Sequence, residues 1–504
     1  MSDLTPEGYL GTDGRISSGP APELVSAGYA LELGDAAMLH DGLYLADLAH
    51  VLGLADQGLL PLGVAEPLLA ALMELGGVPA SEFPYDERLG DAYNSREAEL
   101  TRRLGELSGW VHLGRTRREA GRIAFRLAVR ERLLDLASAV EDLTAALVDL
   151  AEHSADLVWA DMTYLQPAQP STFGHYLASF AEESARHLPR LRMAYHWVDT
   201  SPAGSGGVGG TRLGLDRASL ASSLGFSRVG RNTRDTMWNL DGLIDAMTAA
   251  LHPMLTADRL AEDLLIFASP GFGLVELDAS LCRASVLMPQ KRNPYALAVI
   301  RAGAGTMIGR VTGLLATART PSASTDNWLH TYGEVTESLG LAHRVVSLAA
   351  ATVRTLRVDA DALSRTAADE QIAMTDLADD IVVRTGLDYR TAYRITGNAI
   401  ATALDASSAI TYDALDSAAL TITGAHLPPP VDAELWDIAA VMDPATLVRT
   451  RSEIGGCAPD SVRAEMSTLR PALDDAAQWR SGRRAANSSA REALISRAQS
   501  PAGR

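Results

Sequence analysis

Hydrophobic positions recur along this chain at the spacing of α-helices. Leu136, Val140, Leu143, Leu147 and Leu150 are separated by four, three, four and three residues, which places them on one face of a long helix. Alternating polar and apolar runs bounded by turn residues are scarce. We therefore expect a mainly α-helical fold made of long bundle helices.

The charge balance limits the classes of partner. The 44 basic and 63 acidic side chains give a formal net charge of −19, which opposes general binding to nucleic acids or to anionic membranes. No apolar stretch is long enough to cross a bilayer, and we see no secretory signal.

The two cysteines, Cys282 and Cys457, are too few for a disulfide framework. We expect a cytoplasmic protein with free thiols and no metal site.

The arginine-rich segment 481–504 differs from the helical pattern before it. It contains one acidic residue, Glu492, among small and polar residues. Unbalanced charge and low hydrophobicity are typical of segments that cannot bury a core. We therefore expect this segment to be a disordered tail.

Lysine is unusually scarce in this sequence. All but one of the 44 basic residues are arginine, and Lys291 is the only lysine. An ammonium is a compact point charge whose pKa shifts readily, whereas a guanidinium is a planar fork that stays protonated. The count alone proves no role, but it directs attention to the segment around Lys291.

A Gly-rich stretch over residues 201–214 contains Gly-Ser-Gly-Gly-Val-Gly, which matches the G-x-G-x-x-G of dinucleotide-binding folds. That motif needs a preceding strand, whereas the helical sequence RLRMAYHWVDT precedes this one. We therefore reject a nucleotide site. A mobile loop near a ligand and a plain flexible connection both remain open.

Three guanidiniums fall within four residues in the segment 112–118, His-Leu-Gly-Arg-Thr-Arg-Arg. Arginine binds carboxylates through paired hydrogen bonds, so a dicarboxylate site is one interpretation. A solvated basic surface is the other, and the segment alone does not separate them.

Residues 283–294, Arg-Ala-Ser-Val-Leu-Met-Pro-Gln-Lys-Arg-Asn-Pro, carry the most specific pattern. The segment resembles the signature G-S-S-x-M-P-x-K-x-N of the fumarase/aspartase superfamily, and MPQKxNP is most similar to argininosuccinate lyases. Further similar segments follow the family order at residues 46–50, 112–117, 163–175, 202–217, 259–263 and 455–459. The resemblance therefore extends over nearly the whole chain.

The resemblance implies an all-α, three-domain fumarase/aspartase-like fold. We expect an N-terminal helical domain over residues 1–118, a central long-helix bundle over 119–360 with a signature loop at 280–294, and a C-terminal helical domain over 361–480. Members of the superfamily form homotetramers with a twenty-helix core and active sites shared between subunits. They need no cofactor and release fumarate from succinyl compounds by anti β-elimination.

The resemblance also assigns roles to individual residues. Ser285 matches the family's catalytic base, while Lys291 and Asn293 match the residues that hold the substrate carboxylate and the developing aci-carboxylate. Thr116 and Arg117 match contacts to the dicarboxylate. The remaining residues that we expect to contact the substrate are Arg118, Thr163, Gln169 and Tyr93.

The proton donor of the family is missing here. The family's His in T-H-L-Q is Tyr164, the Glu that follows K-x-N-P is Ala298, and a further family His is Tyr93. In the family, the first His and the Glu form the pair assigned to protonating the leaving nitrogen. Either Tyr164 or Tyr93 replaces that acid, or the leaving group needs none; Tyr164 as packing in an inactive site is the third interpretation. We expect Tyr164 to be catalytic.

The substrate also differs from that of the best-known members. The arginine-recognising run Y-N-K-D-L-Q-E-D is replaced by residues 320–330, and the signature is more similar to the ethylenediamine-disuccinate lyase-type branch. We therefore expect a carbon–nitrogen lyase acting on an N-substituted aspartate or related succinyl compound. A true argininosuccinate lyase and a non-catalytic structural or regulatory homologue remain as alternatives.

Overall fold

The computed structural model describes residues 19–325, 327–406, 408–427 and 436–500. The other N-terminal helices pack around the helix Ala36–Asp56, which we call α3 and whose residues 42–52 are all buried. Gly42 allows α3 to approach the long helix that follows, because a Cβ there would lie 2.5 Å from the Cα of Ala124. The elements are α1 (Pro22–Leu24), a π-helical turn (Val25–Tyr29), α2 (Ala30–Gly34), α3 (Ala36–Asp56), α4 (Ala65–Gly76), a 3₁₀ turn (Glu87–Leu89), α5 (Ala92–Leu104) and a 3₁₀ segment (Gly105–His112).

Long helices form the central part of the molecule. The elements are α6 (Arg117–His153), β1 (Val158–Thr163), β2 (Gln166–Thr172), α7 (Phe173–Ala185), α8 (His187–Val198), β3 (Thr200–Ser201), α9 (Arg217–Ser223), β4 (Arg228–Val229), α10 (Thr233–Trp238), α11 (Asp241–Phe267), β5 (Val275–Glu276), a 3₁₀ turn (Ala279–Leu281), β6 (Arg283–Ala284), β7 (Arg292–Asn293), α12 (Tyr295–Ala318), α13 (Thr331–Thr355) and β8 (Arg357–Val358). α6 packs against α3 and α13, and α11 packs against α12.

The predicted hydrophobic seam of α6 lies in the core. Leu136, Val140, Leu143 and Leu147 are fully buried, and Leu150 is half-buried. The strands are short and pair two by two, as β1–β2, β3–β4, β5–β8 and β6–β7. The prediction of a mainly α-helical bundle is therefore confirmed.

The C-terminal part has a hydrophobic core of its own. Leu377, Ile381, Ile395 and Leu415 are fully buried in it and belong to a cluster separate from that of the bundle. The elements after β8 are α14 (Ala360–Ala367), a 3₁₀ turn (Glu370–Ala373), α15 (Met374–Thr385), α16 (Tyr389–Ala406), α17 (Tyr412–Thr423), α18 (Ile438–Val441), α19 (Pro444–Thr450) and α20 (Pro459–Gln499). α14 and α20 contribute buried residues to the core of the bundle and not to the separate cluster.

The expected disordered tail is wrong for residues 481–499, which continue α20 back along the bundle; residues 501–504 lie outside the described residues. The arginines of α20 pair with carboxylates contributed by other helices. The pairs are Arg470 with Glu152 at 2.6 Å, Arg480 with Glu141 at 2.9 Å, Arg484 with Asp135 at 2.8 Å and Arg497 with Asp56. Composition suggested disorder because the neutralising charges lie more than 300 residues earlier in the chain.

Two ends of the bundle can be distinguished, which we call the Arg117 end and the His153 end after the first and last residues of α6. The 37 residues of α6 span about 55 Å. α13 begins at the Arg117 end, where the rings of Phe125 and Tyr332 are 4.6 Å apart. Within the described residues, no helix is long and apolar enough to span a membrane.

Candidate active site

The sequence-predicted site residues fall at opposite ends of the bundle. Tyr93, Thr116, Arg117 and Arg118 lie around the start of α6, while Thr163 begins the turn of the hairpin that follows its end. The hairpin carries Tyr164 and Gln169 as well, and the signature loop carries Ser285, Lys291 and Asn293. These residues therefore lie on three separate surfaces of one chain.

The signature loop lies on the side of the His153 end. Arg292 of β7 bonds to Glu276 of β5, and β5 pairs with β8. β8 directly follows α13, which begins at the Arg117 end and runs toward the other. The hairpin and the signature loop thus share one end of the bundle, away from Arg117.

Polar and charged side chains surround the start of α6. Thr116 caps the helix, since its Oγ1 accepts the N–H of Glu119 at 3.3 Å. Arg117 donates from Nη1 to Oδ2 of Asp91 at 2.8 Å. A helix N-terminus carries partial positive charge and free N–H groups, so an anion is favoured beside Thr116 and Arg117.

Arg117 and Arg118 line a cavity of about 30 Å³, which has room for water but not for a succinyl compound. Its acidic lining residues are Glu32, Asp35 and Asp91. Burial raises the pKa of Asp35 to about 6, and burial together with Asp91 raises the pKa of Glu32. In a single chain, the arginines of this surface are thus already surrounded by carboxyl groups.

Tyr93 is buried beneath this surface. Its hydroxyl accepts a hydrogen bond from Nη2 of Arg115 at 3.2 Å, and the same Arg115 pairs with Asp47 at 2.6 Å. Burial raises the pKa of Tyr93, which outweighs the lowering effect of Arg115. A raised pKa makes the phenol a weaker acid, so the geometry opposes the interpretation of Tyr93 as the proton donor.

The Gly-rich loop is held next to Thr116 rather than hanging free. Gly204 and Gly206 adopt positive φ values of 73° and 61°, and a Cβ on Gly206 would lie 2.6 Å from the carbonyl oxygen of Gly210. Arg217 donates from Nε to the carbonyl oxygen of Ala203 at 3.0 Å. The plain flexible connection is therefore the wrong interpretation for residues 203–206, because the turn needs glycine and is fixed by side chains.

The hairpin at the other end carries Tyr164 on an unusual turn. Tyr164 and Leu165 both adopt positive φ, at 57° and 58°, as the two central residues between β1 and β2. Such a type I′ turn usually takes Asn or Gly, and bulky residues there mark strain that often accompanies function. Tyr164 is 97% exposed, and Thr163 and Gln169 are exposed as well.

The signature loop is a short hairpin that brings its predicted residues together. Arg283 pairs with Asn293 and Ala284 with Arg292, so Ser285 follows one strand and Lys291 precedes the other, at the two ends of the loop 285–291. The Asn293 amide donates from Nδ2 to the carbonyl oxygen of Arg283 at 2.9 Å.

Ser285 has a partner suited to a catalytic base. Its Oγ accepts the backbone N–H of Met288 at 3.0 Å. An amide N–H that donates to a hydroxyl oxygen is the kind of partner that stabilises an alkoxide, which a serine base requires. Beyond it, Val286 is fully exposed and Leu287 is 86% exposed, which is unusual for apolar residues unless another chain covers them.

The segment that replaces the arginine-recognising run is partly internal. Trp328 is 2% exposed, and the guanidinium of Arg122 lies 3.5 Å from its ring centroid. Asn327 is buried too, while Asp326 lies outside the described residues. Asn327 and Trp328 therefore offer no exposed acceptor for a guanidinium ligand, whereas the exposed Ser322 already accepts Nη2 of Arg234 through its Oγ at 3.1 Å.

Glu119 is a residue that the sequence analysis missed. Its buried carboxylate accepts the N–H of Gly204 at 2.7 Å and that of Gly206 at 2.5 Å. The signal that could have identified it is the T-x-x-E spacing from Thr116, typical of a helix start. Nothing in that spacing indicates the Gly-rich loop as its partner.

Comparison with known proteins extends these observations. A family model described as Lyase matches residues 60–309. The argininosuccinate lyase of Methanoculleus marisnigri is 33% identical over 457 residues, which cover 90% of this chain and 91% of the relative. The structure of EDDS lyase in complex with formate is 27% identical with a TM-score of 0.83, and 97% of each chain is covered. A variant of EDDS lyase with bound fumarate is also 27% identical, with a TM-score of 0.82 over 99% of this chain and 98% of that one.

The helical fold and these relatives define a carbon–nitrogen lyase. The chain belongs to the fumarase/aspartase superfamily, in its argininosuccinate lyase-like group with similarity to EDDS lyase. Both the expected superfamily and the expected fold class are confirmed.

Proposed function

We propose that this chain cleaves the C–N bond of an N-substituted aspartate, or of a related succinyl compound, by anti β-elimination to give fumarate. The observation that carries the proposal is the signature hairpin, whose loop begins at Ser285 and ends at Lys291, the only lysine of the chain. The EDDS lyase variant with bound fumarate, 27% identical over nearly all of this chain, supports the same product.

The chemistry assigned to the hairpin requires a base and a concentrated positive charge. Ser285 Oγ, stabilised by the Met288 amide, removes the proton on the carbon next to the distal carboxylate. The electron pair moves into that carboxylate, giving a doubly negative aci-carboxylate, and then returns as the C–N bond breaks and the nitrogen leaves. Lys291 and Asn293 stabilise the intermediate charge, which is the largest catalytic contribution expected in such a site.

The arrangement of the residues supports an active site shared between chains. Thr116 and Arg117 lie at one end of α6, and Ser285 lies toward the other, on a helix about 55 Å long. A succinyl compound spans only a small fraction of that length, so one chain cannot offer both groups to one substrate. We infer a homotetramer in which the dicarboxylate contacts of one subunit meet the signature loop of another.

The source of the proton for the leaving nitrogen follows from the same geometry. Tyr93 is buried with a raised pKa, whereas Tyr164 is exposed on the hairpin at the end that carries Thr163. We propose Tyr164 as the donor for basic amines. A weakly basic leaving group, such as nitrite, would need no donor.

The test runs the reaction in the synthetic direction. The purified protein is mixed with fumarate and a panel of nucleophiles: arginine, small diamines, hydroxylamine, hydrazine and nitrite. Loss of the fumarate ultraviolet band with at least one of them, abolished in Ser285→Ala, supports the proposal and identifies the leaving group. No consumption across the panel, with fumarate still raising the melting temperature, would indicate a site that binds fumarate without turnover.

A true argininosuccinate lyase is the second candidate, because the curated relatives carry that name. The buried Trp328 and Asn327 in place of the arginine-recognising run oppose it. Cleavage of argininosuccinate by the wild type, lost in Ser285→Ala, would favour this candidate. A preference for a diamine over arginine in the synthetic assay would favour the first.

A further inference from the structure

Glu119 joins the long helix to the Gly-rich loop. It is the third residue after the helix cap Thr116, and its side chain is 1% exposed. Its Oε1 accepts the N–H of Gly204 at 2.7 Å, and its Oε2 accepts the N–H of Gly206 at 2.5 Å. Both carboxylate oxygens are therefore used by one turn of the loop.

This use of the carboxylate departs from the usual helix start. In a capping box, the Thr accepts the N–H of the Glu, and the Glu carboxylate returns to the N–H of the Thr. Here the first bond is present, from Glu119 N–H to Thr116 Oγ1 at 3.3 Å. The carboxylate instead crosses to the loop, so it serves the neighbouring backbone and not its own helix end.

Other contacts hold the same turn against Thr116. Thr116 Oγ1 lies 3.4 Å from the carbonyl oxygen of Gly206, and Arg217 donates from Nη2 to Ser205 Oγ at 3.1 Å. Beyond this buried turn, residues 207–209 are exposed. The fixed part of the loop thus leads directly to an exposed backbone segment beside the dicarboxylate contacts.

We propose that Glu119 is a positioning residue of the dicarboxylate site, which holds the Gly-rich loop against Thr116 so that the backbone of residues 207–209 meets the substrate carboxylate. This inference rests on the proposed function, because it takes Thr116 and Arg117 as the carboxylate contacts. Successive backbone N–H groups in such a turn form a concave donor set for anions.

The charge of Glu119 is compatible with a neighbouring anion. Its two bonds to backbone N–H groups and the nearby guanidiniums of Arg115 and Arg217 lower its pKa, but burial is the larger effect and raises the pKa to about 7. At neutral pH the carboxyl group thus carries only part of a full negative charge, and its repulsion of a dicarboxylate is reduced.

The test compares three variants. Glu119→Gln keeps the shape but presents an NH₂ group to one loop N–H, whereas Glu119→Asp keeps two acceptor oxygens on a shorter side chain. Glu141→Gln is the matched control, because Glu141 is a buried carboxylate on the same helix that pairs with Arg480 and not with the loop. The readouts are kcat and KM with the substrate found in the fumarate assay, the fumarate dissociation constant, and hydrogen exchange of peptides covering residues 203–210.

We expect Glu119→Gln to raise KM and the fumarate dissociation constant by about ten-fold or more, with a smaller change in kcat, because the carboxylate contacts act in both the ground state and the transition state. Exchange in residues 203–210 should accelerate. Glu119→Asp should recover most of the binding, and Glu141→Gln should leave these quantities unchanged.

Equal KM values for Glu119→Gln and Glu141→Gln, with an active wild type, would overturn the positioning role. An unchanged exchange rate in residues 203–210 would overturn it too, since the loop would not depend on Glu119. If the wild type forms no fumarate and consumes none, the proposed function fails instead, and fumarate binding together with the exchange rates still decides whether Glu119 holds the loop.

Discussion

At the scale of single residues, Lys291 allows a direct comparison of an ammonium with a guanidinium, because it is the only lysine of the chain. Lys291 closes the loop that Ser285 opens, in a chain whose other 43 Lys and Arg residues are all arginine. A guanidinium at this place would spread the charge over a larger, planar group. The proposed reaction uses Lys291 as a concentrated positive charge, so exchange for arginine tests it directly.

We predict that Lys291→Arg lowers kcat by about 100-fold or more, because charge stabilisation in the transition state depends on a point charge. The measurement is the initial rate of fumarate consumption with the nucleophile that the wild type uses. Arg283→Lys in the same hairpin is the control and should stay within a few-fold of wild type. Activity of Lys291→Arg near that of the control would remove the special role of this lysine.

A second prediction at this scale concerns Tyr164. Tyr164→Phe keeps the ring and the turn but removes the hydroxyl, so we expect kcat to fall by about 10- to 100-fold for a basic amine leaving group. The same variant should leave the rate with nitrite nearly unchanged, because nitrite needs no proton to depart. Equal losses with both leaving groups would show that the hydroxyl binds substrate and donates no proton.

The sequence leads directly to some candidate residues and not to others. Ser285, Lys291 and Asn293 could be proposed because uncommon residue types occur at fixed spacing in one short segment. Tyr93 as an acid could not be judged, since its pKa depends on burial, which only the packing around Arg115 reveals. Glu119 was missed because its partners lie 85 residues further along the chain.

At the scale of elements, α20 differs most from its prediction. Its arginines looked like an unbalanced tail, yet they pair with carboxylates of α6 and α3 along the bundle. The helix also buries Leu494 and Ala498 near its end. Composition describes one segment at a time, so it cannot show that a distant helix supplies the opposite charges.

The pairs along α20 should differ in their contribution to stability. Arg480→Gln leaves Glu141, whose side chain is only 9% exposed, without its cation, and we expect a loss of about 1–3 kcal/mol in the free energy of unfolding. Arg470→Gln removes a partner that is about half exposed, and we expect about 0–1 kcal/mol. Urea unfolding of both variants at one protein concentration measures the difference. Equal losses would show that burial of Glu141 has no effect on the pair.

Another element was predictable from local sequence. The seam of α6 followed from apolar spacing alone. This seam depends on neighbours within a few residues. The turn at Tyr164 could not be predicted, because its residues disfavour the conformation they adopt.

At the scale of the whole molecule, the length of α6 determines how far apart the proposed site residues of one chain lie. It places Thr116 and Arg117 at one end of the bundle and Ser285 toward the other, so the proposed function needs residues of more than one subunit at one site. The resemblance to the superfamily predicted this sharing, and periodicity alone predicted only the long helix. Neither the resemblance nor the periodicity specified which surfaces of neighbouring subunits would meet.

Subunit mixing tests this central claim most directly. Ser285→Ala and Arg117→Gln are co-expressed, purified as mixed assemblies, and assayed for fumarate consumption beside each variant alone. If the two residues come from different subunits, random mixing yields roughly a quarter of the wild-type activity, because that share of sites receives both intact groups. Mixed assemblies as inactive as the single variants would contradict the account, since every site would then take both residues from one chain.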